Sequence, residues 1–184
     1  MNPKDIARLI TEDPDVPGAL MMDKVIVFHG TFSKHKKSIK KHGLGGKGKM
    51  LGGSGGLQGT MGYWPQHESG EYVTLKLGTA IMYAYDMAEE HESAPIVVAL
   101  EWRNPSEQFE YDEDEDAEDS FVAPTGNLNT VGIWRLPQIG GLLQSSPLYQ
   151  SLAPLAYGEL SGDTVRLTGD AAISWLNKNV KNES

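Results

Sequence analysis

The chain has 184 residues, of which 39% are hydrophobic and 22% charged, a composition typical of one globular domain with its own core. It contains no cysteine, which excludes disulfides, thiolate metal sites and a cysteine nucleophile and is consistent with a reducing compartment. The charged residues between Lys4 and Asp15 argue against a signal peptide. No apolar run approaches the roughly 20 residues of a membrane helix, so we expect no membrane partner. We therefore expect a cytoplasmic protein, or one delivered into the cytoplasm of a target cell.

The net charge of −9 is unevenly distributed along the chain. Residues 107–119 contain nine acidic residues and no base, which predicts a solvated acidic loop. Seven lysines lie between residues 34 and 49, and no acidic residue occurs from 33 to 67. Such segregation creates a local positive field in an acidic protein, and it favours a phosphate-bearing partner.

Apolar runs and alternating patterns predict six strands, and the strand at 71–77 places Tyr72 and Thr74 on one face. The six predicted strands cover residues 24–29, 71–77, 96–102, 120–123, 132–136 and 164–167. Helical spacing and capping residues predict four helices, with Ser33, Thr79 and Thr168 as N-caps. These helices are expected at 5–10, 34–42, 80–92 and from 169 onwards.

Three segments are expected to lack regular structure or are left unassigned. Residues 43–62 hold ten of the 21 glycines and predict a mobile loop, and residues 137–160 receive no assignment. With an N-terminal extension at 1–23 and the acidic loop at 107–119, the elements predict one α+β domain over residues 1–184.

The first predicted strand ends in a short polar motif, His29-Gly30-Thr31. Glycine has no Cβ, so backbone can approach a ligand closely there, and binding sites are often built at strand ends. A core strand closed by a polar turn is the alternative interpretation.

Two further segments accompany this motif in a characteristic order. Tyr72 is followed eleven positions later by Tyr83, and then comes the run Ser120-Phe121-Val122-Ala123-Pro124. The order resembles the ADP-ribosyltransferase superfamily, especially its His-Tyr-Glu branch related to diphtheria toxin and the poly-ADP-ribose polymerases. The resemblance implies an ADP-ribosyltransferase-like split β-sheet core with short flanking helices, and NAD as the substrate.

The resemblance also implies a role for each matching residue. His29 and Thr31 would bind the adenosine-side ribose, and the backbone of Gly30 would pair with the nicotinamide amide. Tyr72 and Tyr83 would sandwich the nicotinamide ring, because aromatic faces stack well on a flat cationic heterocycle. For Tyr83, a helical core tyrosine is the rival interpretation.

The catalytic half of the motif departs from the family. Thr74 fits as a wall of the pocket, but Ser120 stands where the family has its glutamate, with Glu118 and Asp119 immediately before it. One of those two carboxylates, or Glu101 on a neighbouring strand, could replace the missing group. An unusual catalytic mechanism or an inactive protein would also fit this departure. The candidate catalytic residues are therefore His29, Tyr72, Glu118, Asp119 and Ser120.

The function that the resemblance implies is mono-ADP-ribosyl transfer from NAD to a nucleic acid or protein acceptor, as in a bacterial toxin, effector or phage enzyme. An antitoxin or immunity protein would then be a further partner. A non-catalytic NAD- or ADP-ribose-binding module is one alternative. An NAD-dependent RNA 2′-phosphotransferase is another, although that chemistry requires several arginines and the chain has only four. No metal site is expected, because no pair of histidines has zinc-type spacing with a third donor.

Overall fold

A computed structural model describes residues 22–44, 70–105, 110–111 and 120–183. Seven antiparallel strands form one sheet in the order β4-β5-β2-β1-β3-β6-β7, so the predicted α+β class is confirmed. The strands are β1 (Lys24–Phe32), β2 (Gly70–Thr74), β3 (Pro95–Arg103), β4 (Glu110–Tyr111), β5 (Ser120–Pro124), β6 (Leu128–Arg135) and β7 (Lys181–Asn182). The helices are α1 (Lys36–His42), α2 (Leu77–Glu90), α3 (Pro147–Ala156) and α4 (Gly169–Asn179).

The sheet is covered on both sides, and each side has its own apolar cluster. On one side, Ile39 of α1 packs with inward-facing residues such as Val27 and Phe121; we call this side the α1 face. On the other, α2, α3 and α4 pack over residues such as Phe28 and Trp134; this is the α2 face. Neighbouring residues of a strand point to opposite faces, so the position of each side chain follows from its place along the strand.

Far fewer residues pair between β1 and β2 than between β1 and β3. β1 pairs with β3 through nine residues, from Lys24 opposite Arg103 to Phe32 opposite Pro95. Between β1 and β2, by contrast, the described residues form one registered pair, Phe28 with Thr74. Beyond this pair, towards Gly30 and Tyr72, the described residues form no further registered pair, and we call this break in the ladder the gap.

Two predicted caps are wrong. Helix α2 begins at Leu77, three residues before the expected start, and Thr79 is buried inside it. The Leu77 N–H donates to Leu167 O (2.8 Å), so a tertiary contact satisfies a helix-start amide that a capping side chain usually satisfies. Ser33 begins a 3₁₀ turn, and its hydroxyl bonds Ser93 rather than capping α1.

The C-terminal third also differs from prediction. Residues 164–167 are predicted to form a strand, but Asp163–Arg166 is a 3₁₀ helix that packs against the start of α2. Helix α3 lies within the unassigned region; Ser146 caps it by accepting from Tyr149 N–H, and Pro147 occupies its first turn. The expected helix at 5–10 and most of the loops at 43–62 and 107–119 lie outside the described residues.

Candidate functional site

His29 lies at the point where β1 and β2 separate. Its Nδ1 is 2.7 Å from the backbone oxygen of Tyr72 on β2. A carbonyl oxygen only accepts hydrogen bonds, so Nδ1 carries the proton, and Nε2 of the neutral ring is an acceptor. The contact thus fixes both the tautomer of the histidine and the orientation of its ring.

The hydrogen-bonding direction of β1 follows from its two ends. Ser33 N–H donates to Ala94 O (2.8 Å), and Asn104 N–H donates to Asp23 O (2.8 Å). In an antiparallel pair, residues that exchange hydrogen bonds with the neighbour alternate with residues that face away from it. Odd-numbered residues of β1 therefore form backbone hydrogen bonds with β3. Even-numbered residues face the other neighbour, so Gly30 directs its N–H and C=O towards β2.

No partner strand meets these two groups of Gly30 within the described parts of the chain. Continuing the register from Phe28–Thr74 would pair Gly30 with Tyr72, but that pair does not form. The carbonyl of Tyr72 instead accepts the hydrogen bond from His29. The N–H and C=O of Gly30 therefore point towards β2 at a position where the ladder has no registered pair among the described residues.

Helix packing explains why residue 30 is a glycine. A Cβ at Gly30 would lie 2.0 Å from Ala80 O, 2.7 Å from Ala84 N and 3.0 Å from the Cβ of Tyr83. The backbone that approaches Gly30 closely is that of α2, whereas the sequence suggested that of a ligand. The same contact places Tyr83 directly beside the gap.

The two tyrosines of α2 have different environments. Tyr85 packs against the core of the α2 face, its hydroxyl donates to Pro137 O (2.7 Å), and burial raises its pKa above the ordinary value. Tyr83 is half-buried and is not among the residues packed against that core. Tyr85 is therefore the core tyrosine of this helix, and Tyr83 lies beside Gly30 on the α2 face.

Thr74 and Ser120 lie side by side on the α2 face. Thr74 is paired with Phe28 on one side and with Ser120 on the other, and both hydroxyl residues are buried. Thr74 Oγ1 accepts from Lys76 N–H (3.2 Å). Ser120 Oγ, in contrast, has no hydrogen-bond partner in the described structure. A buried hydroxyl without a partner costs stability, so it is a candidate contact for a ligand or a water molecule.

Thr31 shares the α1 face with His29 but contacts the following turn. It is buried, and its Oγ1 is 3.3 Å from His35 Nδ1. The His35 ring packs on Phe32, with ring centroids 4.3 Å apart. Thr31 therefore anchors the turn that leads into α1, and its role as a ribose contact stays a prediction.

The structure describes only one of the three carboxylates proposed for the site. Glu118 and Asp119 lie outside the described residues. Glu101 bonds Lys24 (3.3 Å) and Arg103 (3.0 Å), and the Arg103 hydrogen bond, followed by that of Lys24, lowers the pKa of its carboxyl. Three strand spacings, about 14 Å, separate the strand of Glu101 from that of Ser120, so Glu101 does not lie beside Ser120.

A separate open cleft of about 820 Å³ lies where β1 ends and β3 begins, between the last turns of α2 and α3. Ser33, Tyr85, Ser93, Arg135 and Tyr157 are among its lining residues, and none of the predicted site residues belongs to it. No motif marks this cleft in the sequence, since α3, which forms one wall, lies in the region without a predicted element.

No protein-family model, curated protein or solved structure matches the chain. Among the described residues, no cluster of histidine and acidic side chains could hold a metal ion. No helix in the described ranges is long and apolar enough to cross a membrane. The functional assignment therefore depends on the geometry of the gap between β1 and β2.

Proposed function

We propose that the chain is an NAD-dependent mono-ADP-ribosyltransferase of the ADP-ribosyltransferase-like split-sheet class. It transfers ADP-ribose from NAD to a macromolecular acceptor, nucleic acid or protein, and releases nicotinamide. The short pairing between β1 and β2, a single registered pair, supports this class.

The observation that carries the proposal is the gap lined by Gly30. A primary carboxamide presents one acceptor oxygen and an NH₂ donor, which complement the N–H and C=O of one backbone residue. The α2 face beside Gly30 carries Tyr83, and Tyr72 lies on the opposite strand with its side chain on the same face. Two aromatic side chains around a carboxamide-binding edge support nicotinamide as the ligand.

The proposed reaction breaks the bond between ribose C1′ and the nicotinamide nitrogen, and the electron pair leaves with nicotinamide. The acceptor's nucleophile bonds to C1′ and gives up a proton. His29 Nε2 accepts from a ribose hydroxyl, because Nδ1 already donates to Tyr72 O. Ser120 Oγ, buried and without a described partner, hydrogen-bonds the substrate from β5.

A non-catalytic NAD- or ADP-ribose-binding module is the second candidate. It is favoured by Ser120, since a serine cannot stabilise developing positive charge as a carboxylate does. The RNA 2′-phosphotransferase alternative has less support. Arg103 and Arg135 lie at ends of β3 and β6, on the far side of β1 from β2 and β5.

The test is incubation of the purified chain with labelled NAD and, separately, RNA, DNA and lysate protein. Labelling of one acceptor with release of nicotinamide is expected, and it should be lost in His29→Ala and Tyr83→Ala. Tyr157→Ala, at an exposed residue outside the site, serves as the control. Tight NAD binding in calorimetry without nicotinamide release would favour the binding module. A folded protein that does not bind NAD would exclude both.

A further inference from the structure

Helix α1 is attached directly to the strand that carries the site. A 3₁₀ turn, Ser33–His35, joins it to β1, and the Thr31–His35 contact fixes that turn. Ile39 buries α1 on the same sheet face from which His29 projects. The outer side of α1 therefore faces solvent on the His29 side of the sheet, and its first residue, Lys36, pairs with Glu183 next to β7.

That outer side is a cationic surface, which we call the lysine face: Lys37, Lys40 and Lys41. All three are exposed, and helical geometry places Lys37 and Lys41 opposite the buried Ile39. None is paired with a carboxylate in the described structure. Lys36 differs, because it forms an ion pair with Glu183.

We propose that the lysine face binds the phosphate backbone of a single-stranded nucleic acid, and that this nucleic acid is the ADP-ribose acceptor. Three neighbouring ammonium groups without a described carboxylate partner form a local positive charge that attracts phosphates, whereas the net charge of −9 opposes polyanion binding elsewhere. The acceptor is single-stranded because a base in a duplex must leave its stack to reach a site within a protein.

This inference rests on the proposed transferase function, and it adds one step to the reaction. A base nitrogen that carries a proton forms the new bond to C1′. Its proton is released to solvent as nicotinamide departs. The lysine face takes no part in the bond change, but it holds the acceptor on the His29 side of the sheet.

The test measures anisotropy of a fluorescent single-stranded RNA of mixed sequence, and of its duplex, against salt concentration. Three phosphate contacts predict a log–log slope of about −2 for a single strand, hence about 20-fold weaker binding at 200 than at 50 mM salt. The triple variant Lys37→Gln, Lys40→Gln, Lys41→Gln should lose most of this slope and the labelling of RNA. It should keep wild-type NAD binding in calorimetry.

A matched control removes the same charge elsewhere, through Lys24→Gln, Arg166→Gln and Lys178→Gln. These residues are exposed and lie at the end of β1 opposite α1, in the 3₁₀ helix Asp163–Arg166 and in α4, so binding and labelling of RNA should be unchanged. If wild-type protein binds NAD and labels only protein, or binds the duplex as well as the single strand, the inference is overturned while the transferase stands. If it binds RNA but not NAD, the transferase fails instead.

Discussion

Replacing Gly30 by alanine should destabilise the fold severely. The added methyl would lie 2.0 Å from Ala80 O and 2.7 Å from Ala84 N, both backbone atoms of α2 that no rotamer change can move. Non-bonded heavy atoms attract at roughly 3.5 Å, so α2 must withdraw from β1 by more than about 1 Å. Withdrawal loosens the whole α2 face, including buried Phe28 and Ile81.

The cost should be at least about 3 kcal/mol, the upper end of what overpacked cores lose. For a chain of this size, that corresponds to a fall in Tm of roughly 6–12 °C. Urea denaturation followed by circular dichroism measures the free energy directly. In the control Gly140→Ala, a Cβ meets nothing within 4 Å and φ is not positive, so stability should be equal or slightly higher.

If Gly30→Ala unfolds within about 0.5 kcal/mol of the wild type, α2 does not pack on β1 as described. The inference that places Tyr83 at the gap would then fail with it, because both depend on the same contact. A loss of NAD binding in this variant would not by itself identify Gly30 as a ligand contact, since the packing defect is sufficient to cause it.

Three further predictions concern single side chains. Ser120→Ala removes a buried hydroxyl without a described partner, so stability should rise by up to about 1 kcal/mol in urea titration, while NAD binding should weaken in calorimetry. Tyr85→Phe leaves Pro137 O without its donor and should cost about 1 kcal/mol; an unchanged denaturation midpoint would contradict this. The Lys36 hydrogen bond lowers the pKa of the Glu183 carboxyl, so the pair's stabilisation is present above the ordinary carboxyl pKa of 4.5 and is lost as the pH falls through the lower folded-state value. Glu183→Gln should thus destabilise at pH 7 but match wild type in strong acid, and a difference independent of pH would refute it.

The sequence predicts the centre of the sheet well, because its signals there are local. The continuous apolar run within β3 and the stripe of Ile81, Ala84 and Ala88 on α2 are visible in the chain itself. The start of α2 is not visible, because its first amide bonds Leu167, ninety positions away. Residues 164–167 alternate like a strand, yet tertiary contact with α2 overrides the pattern.

The sequence predicts which residues belong to the candidate site, but not the contacts that explain why they are there. The resemblance to the ADP-ribosyltransferase superfamily indicates His29, Tyr72 and Tyr83, and the structure brings His29 to the backbone of Tyr72 and Tyr83 to Gly30. The reason for glycine at position 30 depends on how a distant helix packs, which no local pattern encodes. The partnerless state of the Ser120 hydroxyl likewise depends on burial, which follows only from the assembled sheet.

His29 has a structural effect that leads to a last prediction. By bonding Tyr72 O, its side chain occupies the acceptor that the Gly30 N–H would otherwise take in a continued ladder. His29→Ala removes this donor, so we expect the ladder to extend by one pair and the gap to close. His29→Asn is the matched control, because its side-chain amide nitrogen corresponds to Nδ1 and can still donate to Tyr72 O.

Amide hydrogen exchange of the β1 peptide measures this closure without any ligand. Protection at Gly30 should increase in His29→Ala and remain at the wild-type level in His29→Asn. Equal exchange in all three proteins would show that the gap stays open without the histidine side chain. If protection increases as expected, loss of NAD binding in His29→Ala has two causes, and only His29→Asn isolates the missing ribose contact. The asparagine variant keeps the gap but has no atom in the place of Nε2.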